Sequence, residues 1–176
     1  MRKIILTLTF AFAVFMTANA QAPDGFQFGG GIRAAMPIGD FADTHSFGIG
    51  GELQGEYGFS DKFSGIITTG YNSFFGKTID ILGTSFKIDA IGYIPILAGV
   101  RVYPSDNIFI GAQAGLGILT GNGNSESAFN YQPQIGYNGE SFQIALNYNG
   151  LSKSGTTTSH IGLTAIFKFG GSGSSD

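Results

Sequence analysis

Two histidines, a pair of acids four residues apart and a set of long amides are the side chains here with types suited to chemistry. His45 lies in Asp43-Thr44-His45-Ser46, and His160 follows Ser159. Some enzymes that act on lipid or peptide use His with Ser or His with Asp, and a nucleophilic Ser site needs the Ser and His converging, with a third group orienting the imidazole. Neighbours in an extended chain point to opposite faces, so Ser159 and His160 do not pair directly. Asp43 and His45 with a distant Ser keep an enzymatic reading open, although they are expected as solvated loop residues, while His160 stands at the top of the last expected strand, on its polar face with Thr164 and Lys168. Asp40, Asp43 and His45 lack a fourth metal ligand, Asp80 and Asp89 lack a calcium-loop motif, and Asn122–Ser125 reads as a flexible tip. No metal or cofactor is expected. Glu52 and Glu56 could serve acid catalysis, but their setting reads as an ion-pairing face opposite Arg33.

That setting is a strict period of two. From Phe47 to Phe59 the odd positions carry Phe47, Ile49, Leu53, Tyr57 and Phe59, while the even ones carry Gly48, Gly50, Glu52, Gln54, Glu56 and Gly58. Such alternation marks a strand with one apolar and one polar face. Thirteen residues at roughly 3.3 Å each span about 43 Å, long for a soluble strand and suited to crossing a bilayer at a tilt.

The pattern recurs. Further strands are expected at about 26–38, 63–74, 88–103, 108–119, 128–137, 142–149 and 160–169, which makes eight. Short connections at Ser60–Lys62, Pro104–Asn107 and Asn138–Glu140 alternate with longer polar ones at about 39–46, 75–87, 120–127 and 150–158. Abundant glycine argues against helices. The expected fold is therefore all-β: an eight-stranded antiparallel up-and-down transmembrane β-barrel, with four surface loops on one side and both termini on the other, periplasmic side. Ile66, Tyr93 and Leu97 fall on the nominally inner face, which raises a bulge or shifted register there.

Collected by parity, the polar faces hold Arg33, Glu52, Gln54, Glu56, Arg101, Gln113, Gln132, Gln134, Gln143, Asn147 and Lys168. Basic residues on a lipid face would cost roughly 2–4 kcal/mol each at the midplane. Turned inward they pair, giving a polar, salt-bridged lumen with small water pockets and no wide channel. Aromatics gather at strand ends. Tyr57, Phe59, Phe63, Tyr137, Phe142, Phe167 and Phe169 lie towards the short turns; Phe41, Phe47, Phe74, Phe75 and Phe129 lie towards the long connections. These are expected as two interfacial girdles. Parity alone leaves open the inverse arrangement, a soluble periplasmic barrel with a lipid inside.

The first 20 residues have the form of a cleaved export signal: Arg2 and Lys3, an apolar stretch from Ile4 to Met16, then Ala18-Asn19-Ala20. Cleavage would remove two of nine basic residues and none of twelve acids, leaving a charge of −5 that argues against nucleic acid as a partner. With no cysteine there is no lipoprotein anchor and no disulfide framework. Residues 25–170 fit one barrel domain, and the Gly/Ser-rich 171–176 reads as a disordered tail.

Three segments carry a family resemblance: Ile94-Pro95-Ile96-Leu97-Ala98-Gly99-Val100-Arg101, Ile110 to Gly117, and the closing Phe167-Lys168-Phe169. With the export signal they make the chain resemble the small eight-stranded outer-membrane β-barrels of the OmpX/OmpA-transmembrane type, most of all the PorT-like outer membrane protein beta-barrel domains. The resemblance implies a porin-like, monomeric protein of the cell outer membrane, set among outer-membrane lipid and lipopolysaccharide. It implies insertion by the barrel-insertion machinery, which reads a terminal aromatic; here Gly170 to Asp176 follows Phe169, a departure from the family. It also implies an extracellular partner met through the loops; that no enzymatic activity is expected follows from the side chains above and not from the resemblance. Adhesins and surface-protective proteins share this fold, so fold does not choose a role.

Overall fold

The computed structural model describes residues 25–81, 84–121 and 123–169. The expected signal segment and the tail lie outside the described residues. Ten strands and one helical turn follow in order: β1 (Gly25–Ile38), α1 (Asp40–Thr44), β2 (His45–Ser60), β3 (Phe63–Gly76), β4 (Thr78–Ile81), β5 (Thr84–Lys87), β6 (Ile91–Ser105), β7 (Ile108–Gly121), β8 (Asn124–Asn138), β9 (Phe142–Lys153) and β10 (Thr156–Phe169). Eight of them close into one antiparallel barrel in the order β1-β2-β3-β6-β7-β8-β9-β10, with β10 returning to β1; β4 and β5 form a separate hairpin. The barrel strands run 12 to 16 residues.

Alternation decides which way each side chain points. Ile32, Leu53 and Phe167 are among the most exposed large apolar side chains, at 69%, 58% and 71%, while Arg33 and Arg101 are buried. The wall is greasy outside and charged inside. This is the reverse of a soluble domain, in which large apolar patches are rarely left exposed.

Strand extents differ from expectation at the long-connection end. The connection expected at 150–158 is a two-residue turn, because β9 and β10 stay paired to Lys153↔Thr156. Ser154 (φ 50) and Gly155 (φ 86) supply the two left-handed residues that a type I′ hairpin turn demands. The connection expected at 120–127 shrinks likewise, since β7 and β8 pair as far as Gly121↔Asn124. The first connection contains α1, one helical turn that begins after Gly39 (φ 61) and was not expected in so glycine-rich a chain. The second contains β4 and β5, and β6 begins at Ile91 rather than near Ile88. In place of four loops, this end carries a helical turn, a hairpin and two tight turns.

No bulge separates β3 from β6. Their register is constant from Phe63↔Val102 to Phe74↔Ile91, and Ile66, Tyr93 and Leu97 simply point inward. Register shifts occur instead between β2 and β3 at His45/Phe47 and Gly58/Ser60, and between β6 and β7 at Val102/Ser105. Pairing lapses in two places, opposite Pro95 (between Thr69↔Ile96 and Asn72↔Tyr93) and opposite Pro133 (between Tyr131↔Gly150 and Gln134↔Asn147). Proline has no N–H to give the ladder.

Candidate functional site

The chemistry-bearing residues converge in the lumen, in two layers. Arg33 on β1 organises the layer nearer the helical turn. Its Nη1 donates to Glu52 Oε2 of β2 at 2.8 Å, and its Nη2 donates to Asn147 Oδ1 of β9 at 2.6 Å and Gln132 Oε1 of β8 at 3.1 Å. Asn147 Nδ2 donates onward to Thr164 Oγ1 of β10 at 3.2 Å, and Asn149 Nδ2 donates to Asn147 Oδ1 at 2.8 Å. Gly162, beside Asn147 on β10, makes room for this crossing: a Cβ there would collide with Asn147 Oδ1 and crowd the Arg33 guanidinium.

Arg101 on β6 organises the second layer. Nη1 reaches Glu56 Oε2 at 2.6 Å and Gln143 Oε1 at 3.0 Å; Nη2 reaches Gln134 Oε1 at 3.2 Å and Gln54 Oε1 at 3.3 Å. Glu56 is encircled: Ser64 Oγ donates to it at 2.5 Å, Gln143 Nε2 at 3.2 Å, and the Tyr103 hydroxyl donates as well. The Arg101 guanidinium also lies 4.1 Å over the Phe109 ring, a cation–π contact that closes the layer from below. Both ion pairs are buried, with side-chain exposures of 0%/6% and 2%/1%.

The two acids do not share Arg33. Four residues along a strand are roughly 13 Å apart, beyond the reach of one guanidinium, so each carboxylate takes the arginine at its own level. Gln54, Gln134 and Gln143 all join the Arg101 layer. Lys168 donates to Asn138 Oδ1 at 3.0 Å rather than to an acid. Gln113 is buried, and its Oε1 has no hydrogen-bond partner among the described residues. Ser64 and Tyr103 were missed as partners of Glu56, although both have inward parity.

Apolar clusters lie at each end of the polar layers. Tyr103, Phe109 and Ala145 form one; Ala35, Phe74, Tyr93, Ala128 and Leu151 form the other, with Phe41 and Leu119 packed on it. Phe41 and Phe74 therefore belong to the lumen and not to a girdle. Phe74 and Phe75 are neighbours on one strand, so only Phe75 faces out. Phe47, Phe75 and Phe129 remain outside at this end, and Tyr57, Phe59, Phe63, Phe167 and Phe169 at the other.

Both histidines are buried, which departs from expectation for His45, read as a solvated loop residue, and agrees with the inward face assigned to His160. His160 takes the inward parity of β10 and lies between Phe74 and Tyr93, with ring centroids at 5.0 and 5.2 Å. Neither of its nitrogens has a hydrogen-bond partner among the described residues. His45 packs on Phe41 at 4.8 Å and shares a 2.9 Å hydrogen bond between Nδ1 and Thr44 Oγ1. Ser159 faces away from His160 and bonds the Tyr148 hydroxyl at 2.8 Å. Among the described residues, no three metal-ligand side chains form a cluster.

No family model and no curated protein matches the chain. Solved structures do. The crystal structure of Ail, the attachment invasion locus protein of Yersinia pestis, aligns with a TM-score of 0.55 at 17% identity, over 83% of this chain and 99% of that one. Ail in complex with the heparin analogue sucrose octasulfate aligns at 0.52 and 16% over the same shares. The N-terminal β-barrel domain of Pseudomonas aeruginosa OprF gives 0.56 at 13% identity, over 84% and 99%. At such identities the likeness is one of fold. The chain has the closed eight-stranded antiparallel β-barrel fold of these small outer-membrane proteins.

Proposed function

We propose that this protein is an integral outer-membrane barrel of the OmpX-like kind, exported by its N-terminal signal, with both termini periplasmic. Its apolar exterior meets outer-membrane lipid and lipopolysaccharide, its ion-paired lumen is closed to solutes, and its role is structural or surface-interactive. The observation that carries the reading is the polarity of the wall: large apolar side chains outside on every strand, and two buried arginine–glutamate layers inside. A soluble lipid-carrying barrel needs the opposite arrangement, with an apolar lumen. Histidine-based lipid chemistry is disfavoured by the placement of His160 among rings and of Ser159 on the other face.

The surface partner is met at the end bearing α1 and the β4–β5 hairpin. That end holds Asp40, Asp43, Asp80, Asp89 and Glu126 against Lys77, Lys87 and Lys153. A polyanion of the kind bound to Ail would meet net repulsion here, so a neutral or cationic partner fits better.

The reading is tested by gel mobility of the extracted membrane fraction with and without boiling. A fast-migrating band in the outer-membrane fraction that slows on boiling is expected. A periplasmic, salt-soluble protein with no mobility shift would contradict it.

A further inference from the structure

We propose that the barrel mouth beside the helical turn is a binding site for an organic cation that carries apolar groups on both sides of its charge. The wall is uneven in height there. The β7–β8 and β9–β10 ladders continue to Gly121↔Asn124 and Lys153↔Thr156, whereas β1 leaves β10 at Ile38↔Ser159 and β3 leaves β6 at Phe74↔Ile91. The taller half presents its lumen-facing side chains to a concave mouth.

Two adjoining cavities occupy that mouth. One, of about 360 Å³, lies between the two hairpins over Leu119, Ala128 and Leu151. The other, of about 350 Å³, lies between the β7–β8 hairpin and residues 88–91. Leu119 and Glu126 line both, so a carboxylate stands at the junction of two hollows, the first with an apolar floor under a rim of Lys153, Ser154, Thr156 and Thr158, the second largely apolar. Each hollow is within the size range of small-ligand pockets. Leu151 and Ala128 are buried at the floor of the first, and Asp89 adds a second acid to the other.

Glu126 is now paired with Lys153 at 2.7 Å, with side chains 67% and 48% exposed. An ion pair so open to water contributes little, and either partner is readily exchanged. A ligand ammonium or guanidinium takes the place of Lys153 on Glu126, and its flanking apolar groups enter the hollows. A short peptide with a basic residue between two aliphatic ones has this chemistry.

The test uses the full chain folded in detergent micelles and the probe acetyl-Leu-Lys-Leu-amide, with acetyl-Leu-Glu-Leu-amide as its charge-reversed control. Methyl NMR is expected to show shifts at Leu119, Ala128 and Leu151 with the lysine probe and not with the control. Glu126→Gln should weaken binding about tenfold or more, a loss of about 1.4 kcal/mol or more. Lys153→Gln should tighten it several-fold by freeing the carboxylate. Both substitutions are at exposed positions, and an unchanged heat-dependent gel shift verifies folding. Equal response to both probes, unchanged affinity in both variants, or shifts confined to the outer wall would overturn the proposal. The site is a feature of the barrel mouth in micelles, so its failure would leave the membrane reading standing.

Discussion

Glu56 is held by four side chains in the lumen, pairing with Arg101 while accepting bonds from Ser64, Tyr103 and Gln143. Removing one partner of a buried ion pair strands the other, which typically costs about 3–5 kcal/mol. Arg101→Met is therefore expected to destabilise the folded barrel by about that much in urea titrations of vesicle-inserted protein, through an unpaired Glu56. The double variant Arg101→Met/Glu56→Gln should recover much of the loss, because no charge is then left alone. A double variant as unstable as the single would mean that packing, not charge, is what Arg101 supplies. Tyr103→Phe removes only one donor from Glu56 and should cost less, about 1–3 kcal/mol by the same measurement.

At the scale of elements, turns and prolines make the sharpest predictions. Ser154 holds a left-handed conformation that costs a non-glycine residue about 1–2 kcal/mol, and Asn tolerates it better. Ser154→Asn should raise stability by up to about 1 kcal/mol; a decrease would mean that the serine makes a contact the turn needs. Where Pro95 and Pro133 interrupt the ladder, the facing segments Gly70–Tyr71 and Tyr148–Asn149 lose pairing to β6 and β8 while keeping it to β2 and β10. Amide exchange in micelles should be faster there than at flanking positions such as Thr68 and Leu146. Uniform protection along β3 and β9 would contradict this.

Strand parity was legible because alternation is a local property: Arg33, Glu52, Glu56 and Arg101 stand on the face their spacing assigns. What sequence reading missed depends on contacts across the barrel. The division of Glu52 and Glu56 between two arginines follows from strand register, which no local pattern encodes. Polar residues such as Ser125, Glu126 and Thr156–Thr158 read as loop yet stay in the ladder, because their neighbours across the hairpin are paired. The inward face of His160 was legible from parity, but its aromatic partners on β3 and β6 lie far away in sequence.

At the scale of the whole molecule, the proposed membrane placement follows from one inversion: the apolar face of every barrel strand looks outward and the charged face looks into the lumen. The absence of cysteine makes this directly measurable, since single cysteines can be introduced one at a time. Position 161 and positions 163 to 166 of β10 would each carry a spin label in protein reconstituted into bilayers, and accessibility to oxygen and to a water-soluble nickel complex would be recorded. A period of two is expected, with the Ile161, Leu163 and Ala165 positions high for oxygen and low for nickel, and the Thr164 and Ile166 positions low for oxygen. Nickel accessibility at the outward positions equal to that in bulk water would place the apolar wall outside the membrane and contradict the proposed placement.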